Sequence, residues 1–120
     1  MKYGFLVDDR DWPAFAEVFT EDAEVDFRID GVDTSGGSGP FVGVDEIVHQ
    51  YRDVLTHPYQ HMLVSHVIDD VSEDEVIVRS KALLPMAGGR IADVLYKDIV
   101  VRTPRGWRIK HKSIKNYNRG

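Results

Sequence analysis

Three residues in this chain have the types and positions that proton-transfer chemistry needs: Asp8, His61 and Tyr3. An aspartate beside a histidine is a general-base arrangement, because the carboxylate orients the imidazole and stabilises its charged form. Such a pair can take a proton from carbon or hand one to a departing hydroxyl. Asp8 directly follows a short apolar stripe, and His61 opens a long segment of alternating character. Tyr3 lies about 140° round an ideal helix from Asp8 and more than one turn away, yet its long side chain can enter the same cavity. The residues by themselves leave a plainer reading open, in which Asp8 solvates a helix end and His61 packs in a core.

The remaining ionisable groups suggest less. His57 and His61 have a spacing that suits a metal on a helix, but Pro58 between them breaks that helix. Asp8, Asp9 and Asp11 surround Arg10 and read as a solvated junction, so no metal site is expected. His49 falls on the polar side of a helix. Asp98 interrupts an apolar strand and is expected to pair with Arg79 or Arg102. The segment Asp30 to Pro40, DGVDTSGGSGP, reads as a loop. It lacks the Gly-Lys-Ser/Thr ending of a phosphate loop and misses the calcium-loop spacing.

Secondary structure must position these groups. Tyr3, Leu6 and Val7 mark one face of a short helix. Asp11 is a fitting N-cap, with Pro13 in the first turn. Trp12, Phe15, Ala16 and Phe19 then predict a second amphipathic helix. A short strand is expected over Ala23 to Ile29, and a third helix over Val44 to Leu55 with Val44, Ile47, Val48, Tyr51 and Leu55 buried. After Pro58 the period becomes two. Strands are predicted at about Gln60 to Asp69, Glu75 to Pro85, Arg90 to Arg102 and Trp107 to Tyr117. In the last, Trp107, Ile109 and His111 share one face, and Arg108, Lys110 and Lys112 the other. Helices followed by an antiparallel meander predict an α+β fold, with the helices laid across one face of a curved sheet around a pocket.

The strand from Gln60 to Asp69 is apolar on both faces: His61, Leu63, Ser65 and Val67 on the pocket side; Met62, Val64, His66 and Ile68 opposite. Helices cover only one side, so a second copy of the chain is expected on the other, and the protein is expected to be a homo-oligomer. The length of 120 residues fits one domain, 1–120. The net charge of −5 argues against a nucleic-acid or anionic-membrane surface. The absence of cysteine excludes disulfides and thiol chemistry. No apolar run reaches the ~18 residues of a membrane span. The start, MKYGFLVDDRDW, turns acidic too early for a secretory signal, so the cytoplasm is the expected compartment.

Three segments together resemble a known family: YGFLVDDRDW with VFTEDAEVDFR; Gln60-His61 with SEDEVI; and Tyr96-Lys97-Asp98 with Gly106-Trp107-Arg108-Ile109. They are similar to the SnoaL-like domain of the nuclear transport factor 2-like superfamily, nearest the branch of scytalone dehydratase, bile acid 7α-dehydratase and hexachlorocyclohexane dehydrochlorinase. The resemblance covers nearly the whole chain. It implies a cone-shaped, mainly antiparallel sheet wrapped on three helices around an apolar pocket.

It also implies an Asp–His pair for elimination chemistry, carried here by Asp8 and His61, with Tyr3 as a third catalytic residue. Tyr59, Tyr96, Met86, Val94, Trp12 and Phe27 are then the candidate substrate-lining residues. The chain departs from the scytalone dehydratase pattern. Met86 follows Pro85 where that enzyme has a second catalytic histidine, and Val94 and Tyr96 fall near its hydroxyl and amide donors. Scytalone is therefore not the expected substrate. The implied activity is that of a cofactor-independent lyase, a dehydratase acting on a small apolar cyclic molecule. An isomerase or cyclase using the same pair, or a non-catalytic binding or accessory module, is the alternative. The branch's enzymes are commonly trimers, so a homotrimer is implied.

Overall fold

The computed structural model describes residues 3–29, 32–33, 40–55 and 61–116. Helix α1 is Tyr3–Asp8, and its buried stripe is Tyr3 and Val7, with Leu6 packed beside them. It ends where Arg10 adopts a left-handed conformation, φ 57°. The N–H of Arg10 then bonds the Val7 carbonyl and that of Asp11 the Leu6 carbonyl, which satisfies the free carbonyls of the last turn. Asp11 caps α2, Trp12–Ala16, by accepting from the Ala14 N–H at 3.2 Å.

The predicted second helix ends earlier than its apolar spacing implies, because Phe19 opens strand β1, Phe19–Asp26. The cause is a sheet bond: the Ile109 N–H donates to the Val18 carbonyl at 2.7 Å and draws the chain out of the helix. Phe19 still packs its ring on Phe15, with centroids 5.1 Å apart.

Strands β2, Arg28–Ile29, and β3, Val32–Asp33, form a small separate ribbon, and β4, Phe41–Val42, pairs with β1. Most of the glycine-rich stretch lies outside the described residues. Helix α3, Val44–His49, continues into a π-helical turn, Gln50–Val54. The long strands are β5 (Met62–Val71), β6 (Glu75–Pro85), β7 (Ile91–Thr103) and β8 (Gly106–Asn116). One curved six-stranded sheet results, in the order β4-β1-β8-β7-β6-β5. It is antiparallel except where β1 runs parallel to β8. Its inner face meets the helices in one core containing Val7, Phe15, Val25, Ile47, Tyr51, Val94 and Ile109. Among the described residues no helix is long and apolar enough to cross a membrane.

Register shifts in β8 and β5 overturn the strict alternation expected from the sequence. In β8, Val100 faces Ile109 but Ile99 faces His111, so Lys110 is an extra residue. Ile109, Lys112 and Ile114 are therefore all buried inward, while His111 turns outward away from Ile109. In β5 the register shifts between Leu63 and Ser65, which sets His66 opposite Ser80 on the inner side rather than on the outer face. Ser80 Oγ lies 3.2 Å from His66 Nδ1.

Phe15 is fully buried, with its ring against those of Tyr3, Trp12, Phe19 and Tyr51. Phe15→Ala is expected to cost about 3–5 kcal/mol, measured by urea unfolding, because four aromatic neighbours cannot close the cavity.

Candidate active site

The Schellman-type end of α1 leaves Asp8 as the last helical residue, facing the start of β5 across the core. There its carboxylate takes two hydrogen bonds from one residue. The backbone N–H of His61 donates to Oδ2 at 3.0 Å, and the His61 ring Nδ1 lies 2.5 Å from Oδ1. The pair is largely shielded: the His61 side chain is 4 % exposed and the Asp8 side chain 20 %. Bonding through Nδ1 fixes the neutral tautomer with its proton on that nitrogen and a lone pair on Nε2. Nε2 has no hydrogen-bond partner among the described residues, where no fully buried polar side-chain atom is left unpartnered. It therefore touches accessible space.

Burial is the largest influence on the His61 imidazole and pushes its pKa below the ordinary 6.5. The hydrogen bond and charge of Asp8 oppose that shift; the positive charges of Lys112 and Arg10 add to it. At neutral pH His61 is an uncharged base.

Tyr3 sits at the centre of the surrounding aromatic cluster. Its ring meets His61, Tyr51 and Tyr96 edge-on at 5.8, 5.9 and 5.8 Å. Its hydroxyl does not reach the imidazole; it is shared with the Tyr51 hydroxyl at 2.7 Å. The π-helical turn carries Tyr51, and its widened winding brings that phenol to Tyr3. Burial raises the pKa of Tyr3, Tyr51 and Tyr96, so all three remain phenols and can donate.

Beneath this cluster lies a buried ion pair that the sequence pattern did not suggest. Lys112 Nζ bonds both carboxylate oxygens of Asp98, at 2.9 and 3.1 Å. The same ammonium stands 4.1 Å from the Tyr3 ring centroid and 4.2 Å from that of Tyr96. Asp98 is thus not paired with Arg79 or Arg102: Arg79 bonds Asp69, and Arg102 reaches Asp74. The signal for Lys112 was hidden by the bulge at Lys110, since strict alternation assigns it to the outer face.

The other candidate lining residues are spread more widely. Tyr96 and Val94 project inward from β7 and are buried. Met86, Trp12 and Phe27 are partly buried against the core. Trp12 packs on Phe15, and Phe27 on Phe41 at 6.0 Å. Tyr59, with His57, Pro58 and Gln60, lies outside the described residues. Asp9 is exposed, and His49 is exposed beside Asp53, as the sequence implies.

The sequence profile of the SnoaL-like domain family matches residues 1–113. No curated protein matches the sequence. Solved structures agree on the fold. A protein from Novosphingobium aromaticivorans, described as NTF2-like with a cystatin-like fold, is 19 % identical with a TM-score of 0.75, over 99 % of this chain and 77 % of that one. A candidate scytalone dehydratase from the same organism is 24 % identical with a TM-score of 0.73, over 96 % and 76 % of the two chains. A candidate aromatic ring hydroxylase, again from that organism, is 27 % identical with a TM-score of 0.73, over 96 % and 81 %.

Three outcomes test the geometry. In Asp8→Asn the two stabilising influences on the imidazolium weaken, so an NMR titration should place the His61 pKa below that of the wild type. Because the folded His61 pKa lies below the unfolded one, the native state binds fewer protons in between. Its contribution to stability should therefore fall as the pH drops below about 6.5 and level off under the folded pKa. Lys112→Met leaves the Asp98 carboxylate buried and unpaired and should cost about 3–5 kcal/mol in chemical denaturation.

Proposed function

Because this chain belongs to the SnoaL-like domain family, we propose that it is a cofactor-independent lyase, a dehydratase acting on a small apolar cyclic molecule. The observation that supports this reading is the His61 imidazole, held through Nδ1 by Asp8, with Nε2 facing accessible space. In the proposed step Nε2 takes a proton from a carbon next to the carbon bearing a hydroxyl. The electrons of that C–H bond form the double bond, and the C–O bond breaks. The imidazolium returns its proton to the departing hydroxide, so one water leaves and the enzyme is unchanged.

Asp8 stabilises the imidazolium through the short Nδ1 contact while the charge exists. The Tyr96 hydroxyl has no hydrogen-bond partner among the described residues and is assigned as donor to the leaving oxygen. Tyr3, committed to Tyr51, is assigned a positioning role against the imidazole edge. The aromatic surroundings suit an apolar ring and exclude water, which strengthens these interactions.

The same shuttle would serve an isomerase or cyclase, and product mass separates these: dehydration loses one water, isomerisation loses nothing. In the scytalone dehydratase pattern a histidine follows the proline occupied here by Pro85, and Met86 cannot transfer a proton. That is the feature favouring a binding module. The outer face exposes Val67 and Leu83, and Ile68 and Val71 are also exposed on β5. We read this region as the contact of a homotrimer, which sedimentation at micromolar concentration tests.

His61→Ala and Asp8→Asn are each expected to lower kcat by about 10²–10⁴ while circular dichroism and unfolding show a folded chain. The acidic limb of the wild-type kcat/KM profile should fall off below pH 6.5, where His61 becomes protonated. Folded variants that turn over a substrate of the intact protein normally would overturn the assignment.

A further inference from the structure

On the face of the sheet opposite the aromatic cluster, two carboxylates and an imidazole converge. Glu24 and Asp26 alternate along β1 with Ala23 and Val25, which are fully buried, so both acidic side chains point outward. The ladder sets His111 of β8 directly beside Glu24, and Ser113 beside Asp26. His111 points this way only because the bulge at Lys110 has reversed the alternation of β8; its β7 partner is Ile99, on the outer side. One ligand atom from each of Glu24, Asp26 and His111 lies within 4.8 Å of the others, and all three residues are half-buried.

We propose that Glu24, Asp26 and His111 bind one divalent transition-metal ion of the Zn²⁺ type. The donor set has the chemistry for it. Two carboxylates match the charge of a dication, and a neutral imidazole favours zinc, manganese, iron or cobalt over magnesium and calcium. Metal–ligand bonds of about 2.0–2.2 Å place tetrahedral ligands roughly 3.4 Å apart. Side-chain rotation of about an ångström closes the observed spacing without moving the paired strands.

Among the described residues no direct ion pair joins His111 to Glu24 or Asp26, although ligand atoms of all three lie within 4.8 Å of one another. Ser113 Oγ lies 3.5 Å from His111 Nδ1, so the hydroxyl can orient the ring and leave Nε2 to the metal. Three protein ligands leave a fourth position for water. The site shares no residue with the Asp8–His61 pair, so it stands or falls independently of the lyase reading.

The test is calorimetric titration of the intact protein with ZnCl₂ near neutral pH, in the wild type, Glu24→Gln, His111→Ala and His49→Ala. One ion per chain is expected, with affinity at least about tenfold weaker in Glu24→Gln and His111→Ala. His49→Ala, at an exposed histidine–carboxylate pair elsewhere on the surface, should bind as the wild type does. In NMR the His111 ring signals should move on zinc addition while those of His61 stay. Glu24→Gln preserves shape and keeps the test decisive if His111→Ala unfolds. Absence of saturable binding, equal affinity in wild type and Glu24→Gln, or loss of binding confined to His49→Ala would overturn the proposal.

Discussion

The Asp8 carboxylate joins the first helix to the start of the long meander by two hydrogen bonds to a single residue. One bond would fix a distance; two fix the ring plane of His61 relative to the backbone that carries it. The arrangement sits between elements 53 residues apart in sequence, so it forms only when the helices have closed on the sheet. Everything else in the cluster follows from that closure. Tyr3 is carried on the same helix as Asp8, and it is the shared neighbour of His61, Tyr51, Tyr96 and the Lys112 ammonium. A carboxylate at a helix C-terminus faces the unfavourable end of the peptide dipoles, and its two donors offset that cost.

The inner face is polar in a particular way. A fully paired Lys112–Asp98 salt bridge lies under three phenols that burial keeps protonated. Charge is therefore present but spoken for, and beside it the His61 imidazole changes protonation below the ordinary histidine value. Burial and the ammonium push it toward the neutral form, while Asp8 pulls the other way. The balance between desolvation and one carboxylate is what makes a histidine a base rather than a permanent cation.

Much of this arrangement was legible in the sequence, and the failures have specific causes. The α1 stripe, the Asp11 cap, the third helix and the strand Glu75–Pro85 follow from local pattern, and local pattern held. The contact between Asp8 and His61 is non-local, and the residues alone left it open; family resemblance raised it. Phe19 was read as helical because its spacing suits a helix, but a backbone bond from Ile109 decided otherwise. The Tyr3 hydroxyl was expected in the same cavity as Asp8, and its pairing with Tyr51 depends on a π-helical turn that no residue announces. Lys112, His111 and His66 were each given the wrong face by counting in twos across a bulge. The partner of Asp98 was missed for the same reason.

The extra residue in β8 acts on the strand as a frameshift acts on a message. Upstream of Lys110 the residues are read in one phase, with Ile109 inward; downstream they are read in the other, with Lys112 and Ile114 inward and His111 outward. A homologue lacking that one residue would keep nearly the same composition and the same strand, yet exchange what its two faces hold. The buried ammonium and the outward imidazole are thus inherited together, as two products of a single insertion. Neither side of the sheet can acquire or lose its ionisable group by this route without altering the other.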